Sequence, residues 1–258
     1  MERLVGKRKK SGINGNALRT WGFVFLAAGV IGRGVIQTYM LGIRNASVQQ
    51  LLEVLSASSN NMSLATLSIV LQAMETCAAP IFALMVVEGM THTSDLKAYF
   101  LRVASLALLS EIPYNLALSA RFLDSGSRNP VFGVLLCMVM LYFYGRYSEK
   151  KFTNSLIRIF IAFVTIMWCQ MLKVDNGAPL VIIAAVLWTF RSNVLYRNFA
   201  GAAAAIVCSV IAPFFIASPM GFLAVHAYDG EKSTNSHRVN YLMYPGLLLL
   251  AVVFGLLL

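Results

Sequence analysis

Charge is scarce in this sequence. Of its 258 residues, 12% are Asp, Glu, Lys or Arg, where a soluble globular domain carries roughly 25%. Cysteine and histidine are few, four and three respectively. Cys77, Cys137, Cys169 and Cys208 fall in four different apolar blocks, with no CxxC and no Cys/His cluster. That leaves zinc and a disulfide scaffold without support, and the expectation is four buried free thiols and no metal. There is no P-loop glycine motif, so any ATP-driven function needs another subunit. No internal repeat is visible, which removes one pointer to an inverted-repeat transporter. No charge-rich stretch exceeds about 20 residues, so no separate soluble domain is expected.

What the chain has in abundance is apolar residues, 58% of the total. They are gathered into blocks that match the roughly 20 helical residues needed to cross a hydrocarbon core. The blocks are continuous and do not alternate, which argues against a β-barrel. The expected fold is all-α: a polytopic helical membrane protein with about nine transmembrane helices, eight to ten depending on the break at Pro213. The spans fall near 21–43, 64–90, 96–118, 131–147, 152–172, 178–190, 198–212, 214–228 and 241–258. Residues 1–20 form a basic tail, 21–258 a single transmembrane domain, and 45–63 an amphipathic segment on the outer face, with Val48, Leu51, Leu52 and Leu55 at helical spacing. The first apolar stretch is too long for a signal-peptide core and has no small-residue cleavage site, so it is read as a retained helix.

The net charge of +10 first suggests nucleic acid. Alternating the spans from a cytoplasmic N-terminus accounts for it otherwise. Fifteen Lys/Arg then lie inside and four outside (Arg44, Arg121, Arg128 and Lys173), with Arg33 and Arg102 within spans. This is the imbalance of the positive-inside rule. The partner is therefore the lipid bilayer, with no nucleic acid, and the basic tail is free to touch anionic lipid.

Ionisable groups inside spans are costly in lipid and mark functional sites by default. Counting 1.5 Å per residue places Arg33, Glu75 and Glu111 in one layer at roughly 20 Å depth. Two readings stay open. One is a reaction or transport centre in which Arg33 holds one carboxylate and the other exchanges a proton. The other is a buried Arg33–Glu75 pair with Glu111 tying helices together. Pro113, two residues after Glu111, frees a backbone carbonyl and favours a cavity. A second cluster ends the second span, where Glu88 and His92 are four residues apart and share a helix face. His92 is then a candidate general base oriented by Glu88, with Lys97 and Arg102 as candidate phosphate holders. The alternative is a capped loop with interfacial charges. Gly29, Gly32 and Gly34 in the first span suit close helix approach.

At these residues the chain resembles the TraX family, named for the conjugation-associated enzyme that acetylates the N-terminus of F-pilin. The match runs through Ala79-Pro80-Ile81-Phe82-Ala83-Leu84, Val87-Glu88-Gly89, His92-Thr93, Tyr99-Phe100-Leu101-Arg102 and Ser110-Glu111-Ile112-Pro113-Tyr114, with weaker echoes at Phe190-Arg191, Tyr228-Asp229-Gly230 and Tyr244-Pro245. The resemblance implies a fold related to membrane-bound acyltransferases in a bacterial plasma (inner) membrane. It also implies acetyl-CoA as the cytoplasmic donor and a peptide or small-molecule acyl acceptor. Glu88, His92, Arg102 and Glu111 match positions in the family motifs. The chain departs from the family where an Asp-His pair is expected in the first helix, since Gly32-Arg33 stands there, and again after Tyr244-Pro245, where no histidine follows. Glu75 stands where the family has a basic residue, so the sign of the pair with Arg33 is reversed. Three functions follow as expectations: an acetyltransferase with His92 or Glu111 as base, a TraX-like binding or assembly protein without chemistry, and a proton-coupled transporter.

Overall fold

Helix starts in this chain are set by short polar side chains that take up the first free backbone N–H groups. Asn14 accepts from the Ala17 N–H and Asp95 from that of Ala98. Asn193 accepts from Leu195 and Tyr196, and Ser47 forms a reciprocal capping box with Gln50. A computed structural model describes residues 12–44, 46–149, 151–230 and 237–258, with side chains from 242 onward in the last segment. Residues 1–11 with the basic run 7–10, together with Asn45, Lys150, Lys232 and the Arg238 side chain, lie outside the described residues.

The architecture is all-helical. In chain order it comprises α1 Gly15–Met40, α2 Val48–Ser56, α3 Ser59–Glu75, α4 Ala78–His92, α5 Leu96–Ser119, α6 Val131–Arg146, α7 Phe152–Met171, α8 Gly177–Thr189, α9 Val194–Cys208, a 3-10 segment Pro213–Met220, α10 Gly221–Ala227 and α11 His237–Leu257. Isolated bridges pair Ile13 with Tyr228 at the end nearest the tail, and Arg128 with Val174 at the far end. Three helical stretches among the described residues are long and apolar enough to cross a membrane: Gly15–Met40, Ser59–His92 and Phe152–Met171. The others are shorter apolar helices or, like α5, carry more charge.

Two boundaries differ from the sequence expectation. The polar residues Asn60, Asn61 and Ser63 begin α3 and do not belong to the amphipathic segment, so α2 is confined to Val48–Ser56. The second span is broken at Thr76 and Cys77, where the Thr76 hydroxyl donates to the carbonyls of Ala73 and Phe214. These bonds satisfy backbone groups that the break releases or leaves unpaired.

The first helix changes pitch along its length. From Val30 to Met40 it is wound with i→i+5 bonds, a form that is rare and concentrated at functional sites. Gly32 lies against the Ser68 carbonyl and Gly34 against that of Ala117, so α3 and α5 approach the widened segment closely. The Ser68 hydroxyl donates to the Gly32 carbonyl at 3.0 Å, Thr38 to Leu118 at 2.8 Å and Tyr39 to Leu116 at 2.8 Å. Small residues and interhelical hydrogen bonds are what hold helices together where lipid removes the hydrophobic drive.

The core lies where α8 packs against α4, α6, α7 and α9, with Ile81, Leu84, Leu141, Ile183 and Leu187 fully buried. All four cysteines are buried free thiols. With 13 residues, α8 spans about 20 Å, short of the roughly 30 Å of a hydrocarbon core. The turn that precedes α8 carries Asp175, whose carboxylate reaches Arg33 of α1.

A methyl at Gly221 would run into the Cys77 carbonyl and the Pro80 ring, whereas one at Gly145 meets nothing within 4 Å. Gly221→Ala should lower stability by about 1–3 kcal/mol, and Gly145→Ala should be neutral or stabilising by about 0.5–1 kcal/mol. Thermal unfolding of the two variants in detergent checks the contrast.

Candidate functional site

Arg33 enters the bundle interior from the widened part of α1, and Glu75 closes α3 just before the break. The Arg33 Nη2 donates to Glu75 Oε1, and its Nη1 to Asp175 Oδ2. The Glu75 carboxylate lies directly over Gly29, where a Cβ would overlap it. Its Oε2 accepts no hydrogen bond among the described residues. Asp175 sits in the turn between α7 and α8. Its N–H donates to the Arg128 carbonyl at 2.9 Å, and the Arg128 N–H to the Lys173 carbonyl at 2.9 Å. The Tyr114 hydroxyl donates to Asp175 Oδ2 at 3.1 Å and lies 3.3 Å from Ser127 Oγ.

Glu111 is not part of this cluster, contrary to the single polar layer expected from depth. It pairs with Arg128 at 2.9 Å and accepts from the Asn129 amide at 2.6 Å and the Asn129 N–H at 3.2 Å. Asn129 also donates to the Ala107 carbonyl at 2.9 Å. Counting residues fixes height along a helix but not which neighbour the side chain meets. The loop after α5 supplies a local cation, while both Arg33 Nη groups are already taken. The loop is pinned in turn by Asp124, whose carboxyl the Ser119 hydroxyl and the Gly126 N–H hold below the usual carboxylate range.

The tail end carries the second predicted cluster. His92 Nδ1 lies 3.2 Å from Glu88 Oε2 and 3.0 Å from the Glu88 carbonyl, so the shared helix face is real. Glu88 also faces Arg197 at 3.9 Å, and Asn198 joins Arg197 to His226. This group ties α4 to α9 and α10. The His92 side chain is 56% exposed, and neither His92 nor Glu88 lines the cavity described next.

That cavity, of about 360 Å³, runs between α1 and α5 over α4. Arg19, Gly89, Thr93, Tyr99 and Arg102 line its tail end, and Glu75, Thr76, Asn176 and Tyr244 its inner end. Between them the walls are apolar, including Phe23, Phe82, Met85 and Leu106. Arg102 therefore stands at the mouth, while Lys97 is exposed on α5 outside the lining. The cavity joins a cationic end to a buried carboxylate. No group of three potential metal ligands occurs among the described residues.

Asp175 is the member that sequence reading missed. It is the one acidic residue between Glu149 and Asp229 and directly precedes an apolar run, a signal that was available but lay in a segment read as a connection. Arg19 and Tyr244 carry no sequence signal toward a cavity, since one belongs to the basic tail and the other to an apolar span.

Removing Arg33 leaves the buried Glu75 and the half-buried Asp175 without their shared counter-ion. Arg33→Leu should cost about 3–5 kcal/mol. Arg128, whose side chain is 44% exposed beside Glu111, should cost no more than about 1 kcal/mol as Arg128→Ala. Melting followed by fluorescence-detected size exclusion separates the two.

No curated protein and no solved structure matches the chain. The TraX protein family matches it over residues 53–256, a region that holds Glu75, Asp175 and most of the cavity wall. The chain belongs to the TraX family.

Proposed function

We propose that the protein is a membrane-embedded acetyltransferase that takes acetyl-CoA from the tail end of the bundle. The observation that carries this reading is the cavity with arginines at its mouth and Glu75 at its inner end. The proposed topology has about nine crossings of a bacterial plasma membrane with the tail cytoplasmic, supported by the basic charge collected on the tail side. Arg102 and Arg19 hold donor phosphates, for which guanidinium forks are well suited. The pantetheine arm lies along Phe82, Met85 and Leu106, and the thioester reaches Thr76 and Tyr244.

Glu75 then acts as the base through Oε2, the oxygen that Arg33 does not engage. The acceptor nitrogen or oxygen attacks the thioester carbonyl as its proton passes to Glu75. The C–S bond breaks, the new amide or ester leaves, and the proton passes to the departing thiolate, releasing CoA. Arg33 and Asp175 position the carboxylate, and Asp175 shares the guanidinium so that Glu75 does not hold the cation alone. In this scheme His92, Glu88 and Glu111 are structural, because they lie off the cavity.

One observation favours a second reading, a TraX-like binding or assembly protein without chemistry: no histidine lines the cavity among the described residues. Calorimetry with acetyl-CoA separates the two. Saturable binding is expected, weakened about tenfold, or ~1.4 kcal/mol, by Arg102→Ala and unchanged by His92→Ala. Absence of binding at millimolar donor rejects the acetyltransferase and leaves the binding protein.

A further inference from the structure

The cavity mouth has a feature that the acetyl-CoA reading does not use, namely its height in the bundle. Arg19 lies five residues beyond the Asn14 cap and Arg102 seven beyond the Asp95 cap, which puts them about 7–10 Å along their helices. The polar interface on each side of a bilayer is about 5–8 Å thick. With the two helix caps at the water-facing edge of that interface, the guanidinium stems start where headgroups give way to hydrocarbon. Trp21, 50% exposed, and Phe100, 39% exposed, stand on the outer surface at the same height, as aromatic residues do at the interface.

Two arginines, Arg19 and Arg102, line the mouth. Arg102 makes no hydrogen bond or ion pair among the described residues. Among the described residues the only carboxylate lining the cavity is Glu75, at the opposite end, and Asp95 is engaged by the Ala98 N–H. The walls that lead inward are apolar and half-buried at Phe23, Leu26 and Leu106. A phospholipid phosphate resides at this level without leaving its leaflet, and the apolar wall below it suits an acyl chain. Basic pockets between transmembrane helices recognise anionic headgroups in this way.

We infer that the cavity between α1 and α5 is also a site for an anionic glycerophospholipid, with its phosphate on Arg102 and Arg19 and one acyl chain along Phe23, Leu26, Val103 and Leu106. The lipid enters from the tail-side leaflet and occupies the space proposed for the donor arm, so the two exclude one another. The site rests on the charge, height and apolar walls of the cavity and holds whether or not acyl transfer occurs.

Native mass spectrometry of the detergent-purified full chain, titrated with phosphatidylglycerol or phosphatidylcholine of matched acyl chains, tests it. One saturable phosphatidylglycerol site is expected, at least tenfold tighter than phosphatidylcholine. Arg102→Glu, a change at an exposed side chain, should weaken it at least tenfold with unaltered melting, and Val103→Trp, which fills the wall, should weaken it comparably. If Val103→Trp fails to fold, Leu106→Phe serves in its place. Equal affinity for the two lipids, or a phosphatidylglycerol site indifferent to Arg102→Glu, overturns the inference. Glycerol phosphate that binds as tightly as phosphatidylglycerol also overturns it, because the site would then recognise a phosphate without its acyl chain.

Discussion

A single guanidinium is shared by two carboxylates, one buried and one half-buried, and much of the architecture serves to bring those three groups together. Arg33 reaches Glu75 on α3 and Asp175 in the turn before α8. Burying three charges costs free energy that their mutual attraction barely returns, so the cluster is poor evidence for stability. Its value lies in uniqueness, because any packing that separates the partners strands a charge in a water-poor interior. The break after Glu75, the close approach at Gly29 and the bridge that ties Asp175 to Arg128 all act on this one arrangement.

The widened part of α1 belongs to the same logic. Winding at i→i+5 from Val30 to Met40 gives up ordinary helical hydrogen-bond geometry over 11 residues, a cost that needs compensation elsewhere. The compensation comes from Ser68, Thr38 and Tyr39, whose hydroxyls donate across to backbone carbonyls of the facing helix. Arg33 thereby sits on a segment fixed by α3 and α5, and its fork is held by Glu75 and Asp175. Preorganised charge of this kind is what a reaction centre requires.

Much of this was legible in the sequence, and the parts that were not share a cause. Arg33 and Glu75 announce themselves because a charge in an apolar run must find a partner, and the structure pairs them. Glu88 and His92 meet because a spacing of four fixes a shared helix face. Glu111 was assigned to the wrong cluster because depth along a helix says nothing of azimuth, and the loop residues Arg128 and Asn129 fold back to claim it. Asp175 was missed because a five-residue turn looks like a connection until tertiary packing draws it inward. The break at Thr76 has a local signature that was not used, Pro80, which has no N–H for the Thr76 carbonyl and sits in the first turn of α4, whereas the pitch change after Gly29 has none, since glycines at close helix contacts are compatible with an ordinary α-helix.

The cavity orders its features along one axis, with cations at the tail end, apolar walls, and then a carboxylate held by a clamped arginine. Each part alone has a bland explanation, as an interfacial arginine, a packing gap or a buried ion pair. Their sequence along one cavity is harder to dismiss, because it matches an elongated anionic amphiphile whose reactive or apolar end is sheltered from water. A thioester donor and a phospholipid both fit that description. In the two proposed modes a phosphate lies at Arg102, and the modes differ in what reaches Glu75: a carbonyl ready for attack in one case and an inert chain in the other. If both bind, a membrane rich in anionic lipid holds the cavity occupied, and a donor must displace that lipid before Glu75 is exposed to a reacting group.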